Sequence, residues 1–350
     1  MSFEATPSRV QVSLLETSAE REWDDFVRAA PEGTFFHLAG WKRVVEKTFG
    51  HRTFYLAARR GNAIVGVLPL TQVKSFLFGN SLISNAFCVH GGILAADDEC
   101  GDALRAQAIA IAEREKVDCV ELRSMNTSHT GWVAKENLYA TFKRPLMADP
   151  EANMKAIPRK QRAMVRKGIA NGLTSECDDN IARLHHVYAH SVRNLGTPVF
   201  PQAYFQSLKD EFGEACDVVT VLHRSRAVAS VMNFYFRDQV LPYYGGGRTE
   251  ARDLAANDFM YWEVVRRASE RGFRQFDFGR SKVGTGSYHF KRNWGFEPTP
   301  LTYEFRLIKG AKIPDLNPLN PKFRTFVSLW RRLPLVLTKL VGPHIVRGIG

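Results

Sequence analysis

Two stretches of the chain share one pattern of apolar and polar positions. The pattern occurs in Tyr55–Thr71 and again in Val219–Phe236, each with an apolar run, a short polar turn and a second apolar run. This is the pattern of a β-hairpin. Ala63 of the first stretch corresponds to Ala227 of the second. The shared pattern indicates that one segment of the chain occurs twice.

The elements around the two hairpins repeat in the same order. Each hairpin follows a short helical pattern that ends in Phe-Gly, and each precedes a Gly-Gly pair, a longer helix and a strand. The longer helices are predicted over Asp102–Lys116 and Asn257–Arg271, with Asn257 or Asp258 as the N-cap of the second. Duplication explains this order better than chance. The predicted fold class is therefore α/β, with mixed α+β sheets in two tandem, similar domains.

The repeat divides the chain of 350 residues into three parts. We predict an N-terminal domain over residues 1–150 and a C-terminal domain over residues 151–310, which opens with a basic helix. A basic, apolar tail over residues 311–350 follows. This length suits two domains of ordinary size.

A cluster of cations opens the second half of the chain. The surrounding sequence has a helical pattern from Gln161 to Ala170, and Asn171-Gly172 is a suitable helix end. Almost no acidic residue accompanies the cations, so i,i+4 ion pairs do not account for them. Two interpretations stay open, a solvated helix face and a binding site for phosphate or tRNA. The cations are Arg159, Lys160, Arg162, Arg166 and Lys167.

The tail combines apolar and basic residues. From Phe323 to Gly350 large apolar side chains alternate with arginines and lysines, and Pro334 and Pro343 are expected to break the tail into short pieces. The tail can pack on the domains, or it can make peripheral contact with an anionic membrane, because interfacial segments combine basic and apolar residues. No apolar run is long enough to span a bilayer, so no transmembrane segment is predicted.

The net charge indicates the class of binding partner, and the cysteines indicate the cellular compartment. The formal net charge is +12 at pH 7, which favours anionic partners such as tRNA, phosphorylated substrates or an acidic membrane surface. The five cysteines are widely spaced and form no Cys-x-x-Cys pair. Neither a disulfide framework nor a zinc site is therefore expected, and a cytoplasmic location is predicted. Met1–Leu15 lacks the pattern of a signal peptide.

The densest group of chemically reactive residues lies in Phe276–Tyr303. Asp277 ends a predicted strand, and Arg280 and Ser281 follow it directly, ahead of a Gly-Thr-Gly loop. Sites in α/β proteins form at such strand ends. Packing on one helix face explains the aromatic residues after the loop, but not the two cations between them. These residues are His289, Phe290, Lys291, Arg292 and Trp294.

The sequence FDFGRS, the Gly-Thr-Gly loop and the sequence HFKRNWGFEP resemble the FemAB family of peptidyl- and aminoacyl-transferases. They are most similar to the branch associated with PEP-CTERM/exosortase exopolysaccharide systems, as are the segment IPRKQRAMVRKG and the end of the chain. The resemblance covers nearly the whole chain and implies two tandem GNAT-like domains. Well-known members attach amino acids from aminoacyl-tRNA to a peptidoglycan precursor. The resemblance thus implies acyl transfer to a cell-envelope precursor, either peptidoglycan or exopolysaccharide.

The resemblance also implies roles for individual residues. Phe290 and Lys291 match the family's Phe-Lys pair near the aminoacyl-transfer site. Tyr244 matches an aromatic substrate contact at a strand end, and Arg193 matches a helix arginine that meets substrate phosphate. The chain departs from the family at Val45, where a lysine is expected, and it lacks the long helical arm of some members.

The expected chemistry is attack of an acceptor amine on an activated ester or thioester. Lys291 is the candidate for stabilising the oxyanion of the tetrahedral transition state. Asp277 or His289 is the candidate for accepting the amine proton. The candidate substrate-binding residues are Arg193, Tyr244, Arg280, Ser281, Phe290 and Arg292.

The acyl donor separates the remaining hypotheses. Acyl-CoA enzymes of this fold carry an Arg/Gln-x-x-Gly-x-Gly/Ala turn that holds pyrophosphate at a helix N-terminus, and neither Gly pair is followed by a clean copy. Aminoacyl-tRNA is therefore favoured as co-substrate, with acyl-CoA as the alternative and no bound cofactor or metal expected. A non-catalytic module that binds envelope glycan or nucleic acid is a second class of function. A membrane-surface scaffold carried by the tail is a third.

Overall fold

The computed structural model describes residues 9–76, 78–125, 129–309, 313 and 321–350, without the side chains of residues 321–324. The chain forms two units that do not follow one another simply along the sequence. Unit 1 consists of residues 1–136, 301–314 and 348–350, and unit 2 consists of residues 137–300 and 315–347.

Unit 1 contains a mixed sheet with helices packed on it. Its first strands are β1 (Gln11–Leu14), β2 (Arg52–Arg60), β3 (Ala63–Ser75), β4 (Gly79–Ser84), β5 (Leu94–Ala95) and β6 (Cys119–Ser124). Its helices are α1 (Glu20–Ala29), α2 (Gly40–Phe49) and α3 (Asp98–Arg114). Strands β2, β3 and β4 form an antiparallel meander, and β6 lies parallel to β4. β1 pairs with β2, and β5 pairs with β3.

Local sequence explains the main elements of unit 1. The hairpin of β2 and β3 turns where Arg60 pairs with Ala63, as the repeat predicted. Helix α3 begins after Asp97, whose carboxylate accepts a hydrogen bond from the Cys100 amide at 3.0 Å. Leu104 of α3 lies in one buried core with leucines of β2, β3 and β4. The apolar faces of helix and sheet therefore close on each other.

Unit 2 repeats this arrangement. Its first strands are β7 (Val133–Pro145, here from residue 137), β8 (Thr174–Cys177), β9 (Cys216–His223), β10 (Arg226–Phe236), β11 (Gln239–Gly247), β12 (Gln275–Asp277) and β13 (Ser281–Lys282). Its helices are α4 (Pro150–Ala156), α5 (Arg159–Ala170), α6 (Ile181–Leu195), α7 (Gln202–Phe212), α8 (Ala256–Glu270), α9 (Gly286–Asn293), α10 (Pro321–Arg332) and α11 (Leu335–Val346). Strands β9, β10 and β11 form an antiparallel meander, α8 follows, and β12 lies parallel to β11. The same order holds for β2, β3, β4, α3 and β6, so the mixed α/β fold with a duplicated unit is confirmed.

The two units exchange the strand that follows the repeat. β7 follows β6 in the chain, but its residues Lys143–Pro145 pair antiparallel with β12 in unit 2. β14 (Pro298–Leu307) follows β12, but its residues Thr302–Leu307 pair antiparallel with β6 in unit 1. Each unit is therefore completed by chain that follows the other unit's parallel strand.

Gly245 and Gly246 of β11 allow two helices to approach the sheet of unit 2 closely. A Cβ at Gly246 would lie 2.4 Å from Ser191 Cβ of α6, and a Cβ at Gly245 would lie 3.4 Å from Tyr261 Oη of α8. Successive residues of a strand face opposite sides. Helices α6 and α8 therefore cover opposite faces of this sheet, and the glycines serve packing.

The tail folds onto unit 2 as α10 and α11. Trp330 Nε1 of α10 donates a hydrogen bond to the Thr197 carbonyl, 3.2 Å away, just beyond α6. Pro343 lies inside α11, so the expectation that it breaks the tail is wrong, whereas Pro334 precedes α11 and separates it from α10, as expected. Within the described ranges, no helix has both the length and the apolar character needed to cross a membrane.

One predicted helix cap is also wrong. Helix α8 begins after Ala255, which has a left-handed backbone with φ of 58°, and no side chain caps it. Asp258 lies within the first turn and accepts a hydrogen bond from Trp294 Nε1 at 2.9 Å instead. A long-range partner has therefore taken the carboxylate that local sequence assigned to the cap.

Candidate functional site

The candidate site lies in unit 2, at the turn that follows β12. β12 is paired with β11 at Gln275 and Phe276, and the chain then turns through Gly279, which adopts φ of +67° and so favours glycine. The Gly279 amide donates to Asp277 Oδ1 at 2.8 Å. After this turn, Ser281 pairs with Ala140 of β7. The residues after β12 are thus fixed by both the turn and the neighbouring strand.

Helix α9 brings Lys291 to this turn. Lys291 Nζ donates to the carbonyls of Gly279 and Arg280, at 3.0 and 3.1 Å. It also lies 5.4 Å from the centre of the Phe142 ring and 5.5 Å from that of Phe278. The side chain is only 9% exposed. The ammonium group is therefore held inside the protein and does not point into open solvent.

The surroundings of Lys291 make its charge easy to lose. Burial lowers the pKa of Lys291 to about 7, an effect that the Asp277 carboxylate opposes and the Arg280 guanidinium reinforces. An ordinary lysine keeps its proton well above this pH. Near neutral pH, Lys291 is therefore present both as a cation that can stabilise negative charge and as a neutral amine.

Asp277 is tied to β7. It is 3% exposed, and its Oδ2 lies 3.2 Å from Lys143 Nζ. The Thr141 hydroxyl donates to its Oδ1 at 3.5 Å. Together with the Gly279 amide, these contacts engage both carboxylate oxygens, as expected of a group that fixes the turn.

The other predicted residues of α9 point in different directions. His289 and Arg292 are exposed, whereas Phe290 packs against Tyr261 with ring centres 5.7 Å apart. Residues two apart on a helix do not share a face, so the structure does not bring His289 together with Lys291. Arg280, by contrast, lies at the turn, with its guanidinium 4.5 Å from the centre of the Tyr139 ring.

Ser281 carries a buried hydroxyl at the same turn. It is 4% exposed, and its Oγ has no hydrogen-bond partner among the described residues. Buried polar atoms normally have partners. Ser281 therefore offers a donor that a bound group could use, and it directly follows Arg280, whose carbonyl accepts from Lys291.

Tyr244 and Arg193 lie on the α6 side of the sheet. Tyr244 is 6% exposed, and its hydroxyl is 2.8 Å from that of Tyr204 within a cluster of aromatic rings. Arg193, in the last turn of α6, donates to Asn194 Oδ1 at 3.0 Å. Lys291 instead contacts the ring of Phe278, which belongs to the core around α8. The predicted substrate contacts therefore lie on different sides of the sheet.

The basic helix α5 presents most of its cations to solvent. Arg159, Lys160, Arg166 and Lys167 are exposed, whereas Arg162 is half-buried and donates to the Lys155 carbonyl at 2.9 Å. The helix starts beside the end of α9, because a Cβ at Gly295 would lie 3.2 Å from Pro158 Cδ. The exposed cations of α5 and Arg292 of α9 thus belong to neighbouring helices.

Sequence reasoning missed the residues that β7 contributes. Besides Lys143 and Phe142, β7 provides Arg144, whose guanidinium lies 4.6 Å from the centre of the Phe296 ring and donates to the Trp294 carbonyl at 3.2 Å. Its Nε and Nη2 are buried without a hydrogen-bond partner in the described part of the chain. Burial lowers the pKa of Arg144. The available signal was a run of strand-forming residues just before Lys143, but no motif in the sequence links that run to β12.

No residues in the described ranges are arranged to hold a metal. No three side chains of His, Cys, Asp or Glu come together there in a group that could bind an ion.

Comparisons with known proteins agree with the duplicated fold. Residues 153–292 match the family model of the acetyltransferase (GNAT) domain, while no curated protein sequence matches the chain significantly. The structure is similar to FemX, with a TM-score of 0.67 and 15% identity over 85% of this chain and 98% of that chain. It is also similar to a tandem GNAT protein from the clavulanic acid biosynthesis pathway, with a TM-score of 0.56 and 12% identity over 87% and 100% of the two chains.

A third similar structure is the C-terminal domain of a putative lysylphosphatidylglycerol synthetase from Agrobacterium fabrum. The TM-score is 0.55 and the identity 13%, over 83% of this chain and 91% of that chain. Identities this low concern the fold alone. The prediction of two tandem GNAT-like domains is confirmed.

Proposed function

We propose that the chain is an N-acyltransferase that transfers an aminoacyl or acyl group to an amine of a cell-envelope precursor. The match of residues 153–292 to a GNAT domain supports acyl transfer. The observation that carries the proposal is the position of Lys291, buried on two carbonyls of the turn after β12. The resemblance of this turn and of α9 to the FemAB family supports an aminoacyl group and a peptidoglycan or exopolysaccharide precursor.

In the proposed reaction, the acceptor nitrogen attacks the donor carbonyl carbon. The new C–N bond forms while the carbonyl oxygen gains negative charge. The bond from the carbonyl carbon to the donor then breaks, a C–O bond in aminoacyl-tRNA or a C–S bond in acyl-CoA. The amine proton passes to the leaving oxygen or sulfur, directly or through water. Lysine has three N–H donors, and Lys291 uses two on the turn. The third is proposed to stabilise the oxyanion. This interaction is stronger in the transition state than in the ground state, because the carbonyl oxygen carries more negative charge there.

The exposed cations of α5 support aminoacyl-tRNA as the donor. They lie on a helix that begins beside the end of α9, and phosphate contacts by lysine and arginine supply most of the non-specific affinity for nucleic acid. The N-terminus of α8, where an acyl-CoA pyrophosphate would bind, carries Asp258 in its first turn. A carboxyl group there disfavours a pyrophosphate at this helix end.

Acyl-CoA is the second candidate donor. It is favoured by the description of the matched family as an acetyltransferase domain. The similar tandem GNAT structure is described as that protein without AcCoA, and this mention of an acyl-CoA favours the same class of donor.

The proposed acceptor is lipid-linked, and the proposed location is the inner face of the cytoplasmic membrane. The similarity to a putative lysylphosphatidylglycerol synthetase, whose name refers to a phospholipid, supports this part of the proposal. The basic, apolar tail provides a segment for peripheral contact.

The decisive experiment offers the purified protein each donor separately. Charged tRNA and acyl-CoA are each incubated with candidate amine acceptors, and donor consumption is followed. We expect consumption of charged tRNA and a loss of about 10²–10³ in kcat for Lys291→Met. Lys155→Met, which replaces an exposed lysine of α4, is the matched control. Consumption of neither donor would instead favour a non-catalytic binding module.

The pH profile tests the charge state that the mechanism requires. Because the cation is the active form, the contribution of Lys291 should be complete below its pKa of about 7 and should be lost as the pH rises through that value. Single-turnover rates of the wild-type protein and of Lys291→Met, measured across this range, give the contribution as a ratio. A ratio that grows with pH would show that the neutral amine acts, and would contradict the oxyanion role.

The role of α5 can be measured as salt-dependent binding of uncharged tRNA. Lys160→Gln with Lys167→Gln should weaken binding and reduce the slope of log affinity against log salt by about 1 per lysine. Lys47→Gln, which removes an exposed lysine of α2, should leave the slope unchanged. An equal slope for the double variant and the wild-type protein would remove α5 from the tRNA path.

A further inference from the structure

The outer face of α11 is more apolar than the face that packs on the protein. Thr338, Gly342 and Val346 are buried and follow one another at four-residue spacing. The opposite side exposes large apolar side chains throughout the helix, namely Val336 at 76%, Leu337 at 44%, Leu340 at 66% and Val341 at 42%. A helix that is apolar on both sides needs two apolar environments. Unit 2 provides only the inner one.

Helix α10 also packs on α6 and also exposes apolar side chains. Phe326 is 38% exposed and Leu329 is 59% exposed. Trp330, by contrast, is buried, and its Nε1 donates a hydrogen bond to the Thr197 carbonyl. A Cβ at Gly196, which has φ of +81°, would lie 2.4 Å from Val327 Cγ1, so the end of α6 is shaped to receive α10. The exposed apolar side chains therefore belong to packed helices.

Only cations accompany this surface along the chain. Residues 321–350 contain six lysines and arginines and no aspartate or glutamate. Arg331, Arg332 and Arg347 are exposed, and Lys339 is half-buried. Exposed apolar groups framed by positive charge are complementary to a surface that is apolar inside and anionic outside. An anionic phospholipid bilayer has this organisation.

We propose that the outer face of α10 and α11 docks on an anionic phospholipid bilayer. Leu337 and Leu340 enter the boundary between headgroups and acyl chains, and Arg332 and Lys339 contact lipid phosphates. The functional reason for docking rests on the proposed function, because a docked protein would reach a lipid-linked acceptor in the bilayer. Docking itself needs no turnover, so the two can be tested apart.

The test measures how the full chain partitions onto vesicles in sedimentation. Phosphatidylcholine vesicles are compared with vesicles of equimolar phosphatidylcholine and phosphatidylglycerol, and the wild-type protein should prefer the second, less so at high salt. Leu337→Glu with Leu340→Glu should lower partitioning at least about 100-fold, because the free energy of transferring two leucine side chains from water into the bilayer is lost. Leu14→Glu, which changes a leucine of β1 that is 52% exposed, is the matched control and should partition as the wild type does.

A second variant tests the charges separately. Arg332→Gln with Lys339→Gln should lower partitioning onto the anionic vesicles about 30-fold, at about 1 kcal/mol per cation. Partitioning onto phosphatidylcholine should change little. Arg28→Gln with Lys47→Gln removes two exposed cations of unit 1 and should have no comparable effect. Because these substitutions are polar and lie at the surface, they also serve if the leucine variant does not fold.

The outcomes distinguish docking from catalysis and from self-association. The proposal would be overturned if the wild-type protein did not bind anionic vesicles. It would also be overturned if the variants partitioned onto them as strongly as the wild type. Wild-type protein that forms a dimer sensitive to Leu337→Glu and Leu340→Glu, without binding vesicles, would make this face a contact between copies and would also overturn it. Loss of vesicle binding with turnover of a soluble acceptor intact would support docking. Lys291→Met that is inactive but still binds vesicles supports docking as well.

Discussion

Replacing Lys291 by methionine should change how the stability of the protein depends on pH. The ammonium group is buried between two carbonyls and two aromatic rings, and its pKa falls from 10.5 to about 7. Below about pH 7 the folded and unfolded states both keep the proton. Between pH 7 and 10.5 only the unfolded state keeps it, so the free energy of unfolding rises with pH in that window.

The size of the effect follows from the shift. One pKa unit corresponds to about 1.4 kcal/mol, so the contribution of Lys291 should grow by about 2.5 kcal/mol between about pH 6 and pH 9. Methionine has a similar length and no ionisable group. The difference in unfolding free energy between wild type and Lys291→Met should therefore change by this amount, in favour of the wild type at high pH.

Urea denaturation at several pH values, followed by tryptophan fluorescence, measures this difference. The two lost hydrogen bonds to Gly279 and Arg280 add an offset that does not depend on pH, so only the slope matters. Lys155→Met, which replaces an exposed lysine of the same unit, controls for general effects of charge removal. A difference that stays constant from about pH 6 to pH 9 would refute the claim that folding makes the charged form of Lys291 costly.

Two further predictions concern packing. Trp294→Phe removes the donor to the buried Asp258 carboxyl and should cost about 1–3 kcal/mol of unfolding free energy, as measured by denaturation. Gly246→Ala places a Cβ 2.4 Å from Ser191 Cβ and should cost about 1–3 kcal/mol. Gly286→Ala, where a Cβ meets nothing within 4 Å, is its control. Equal stability of the two alanine variants would contradict close packing of α6 on β11.

Much of each repeated unit could be predicted because its signals are local. The turns of the two hairpins join Arg60 to Ala63 and His223 to Arg226, as the alternation of apolar runs and polar turns indicated. Helix α5 extends over Arg159–Ala170, two residues longer at its start than predicted. Such features depend on neighbours in the sequence, which a single chain displays.

Features that depend on distant partners could not be predicted. Phe276 pairs with Arg144 and Tyr303 pairs with Arg123, and neither pairing leaves a signature near either residue. The tail gives another example, since one side packs on α6 while the other stays exposed. From the sequence alone, packing on the domains and contact with an anionic membrane are alternatives for the tail. The structure shows that packing on unit 2 and an exposed apolar face occur together.

The candidate site could be located but not described from the sequence. The density of charged and small residues after Asp277 and the family resemblance both pointed to the turn that Lys291 contacts. The burial of its Nζ on the Gly279 carbonyl depends on how α9 returns to the turn, which no spacing rule gives. The functional roles of these residues and the domain limits at 150 and 310 stay predictions.

The exchange of β7 and β14 affects how such a chain can be divided. A fragment ending at residue 150 would keep β6 without Thr302–Leu307 beside it, and an uncovered strand edge recruits other chains. A fragment beginning at residue 151 would keep β12 without Lys143–Pro145. Neither half of the chain, cut at residue 150, therefore carries all the strands of its own sheet.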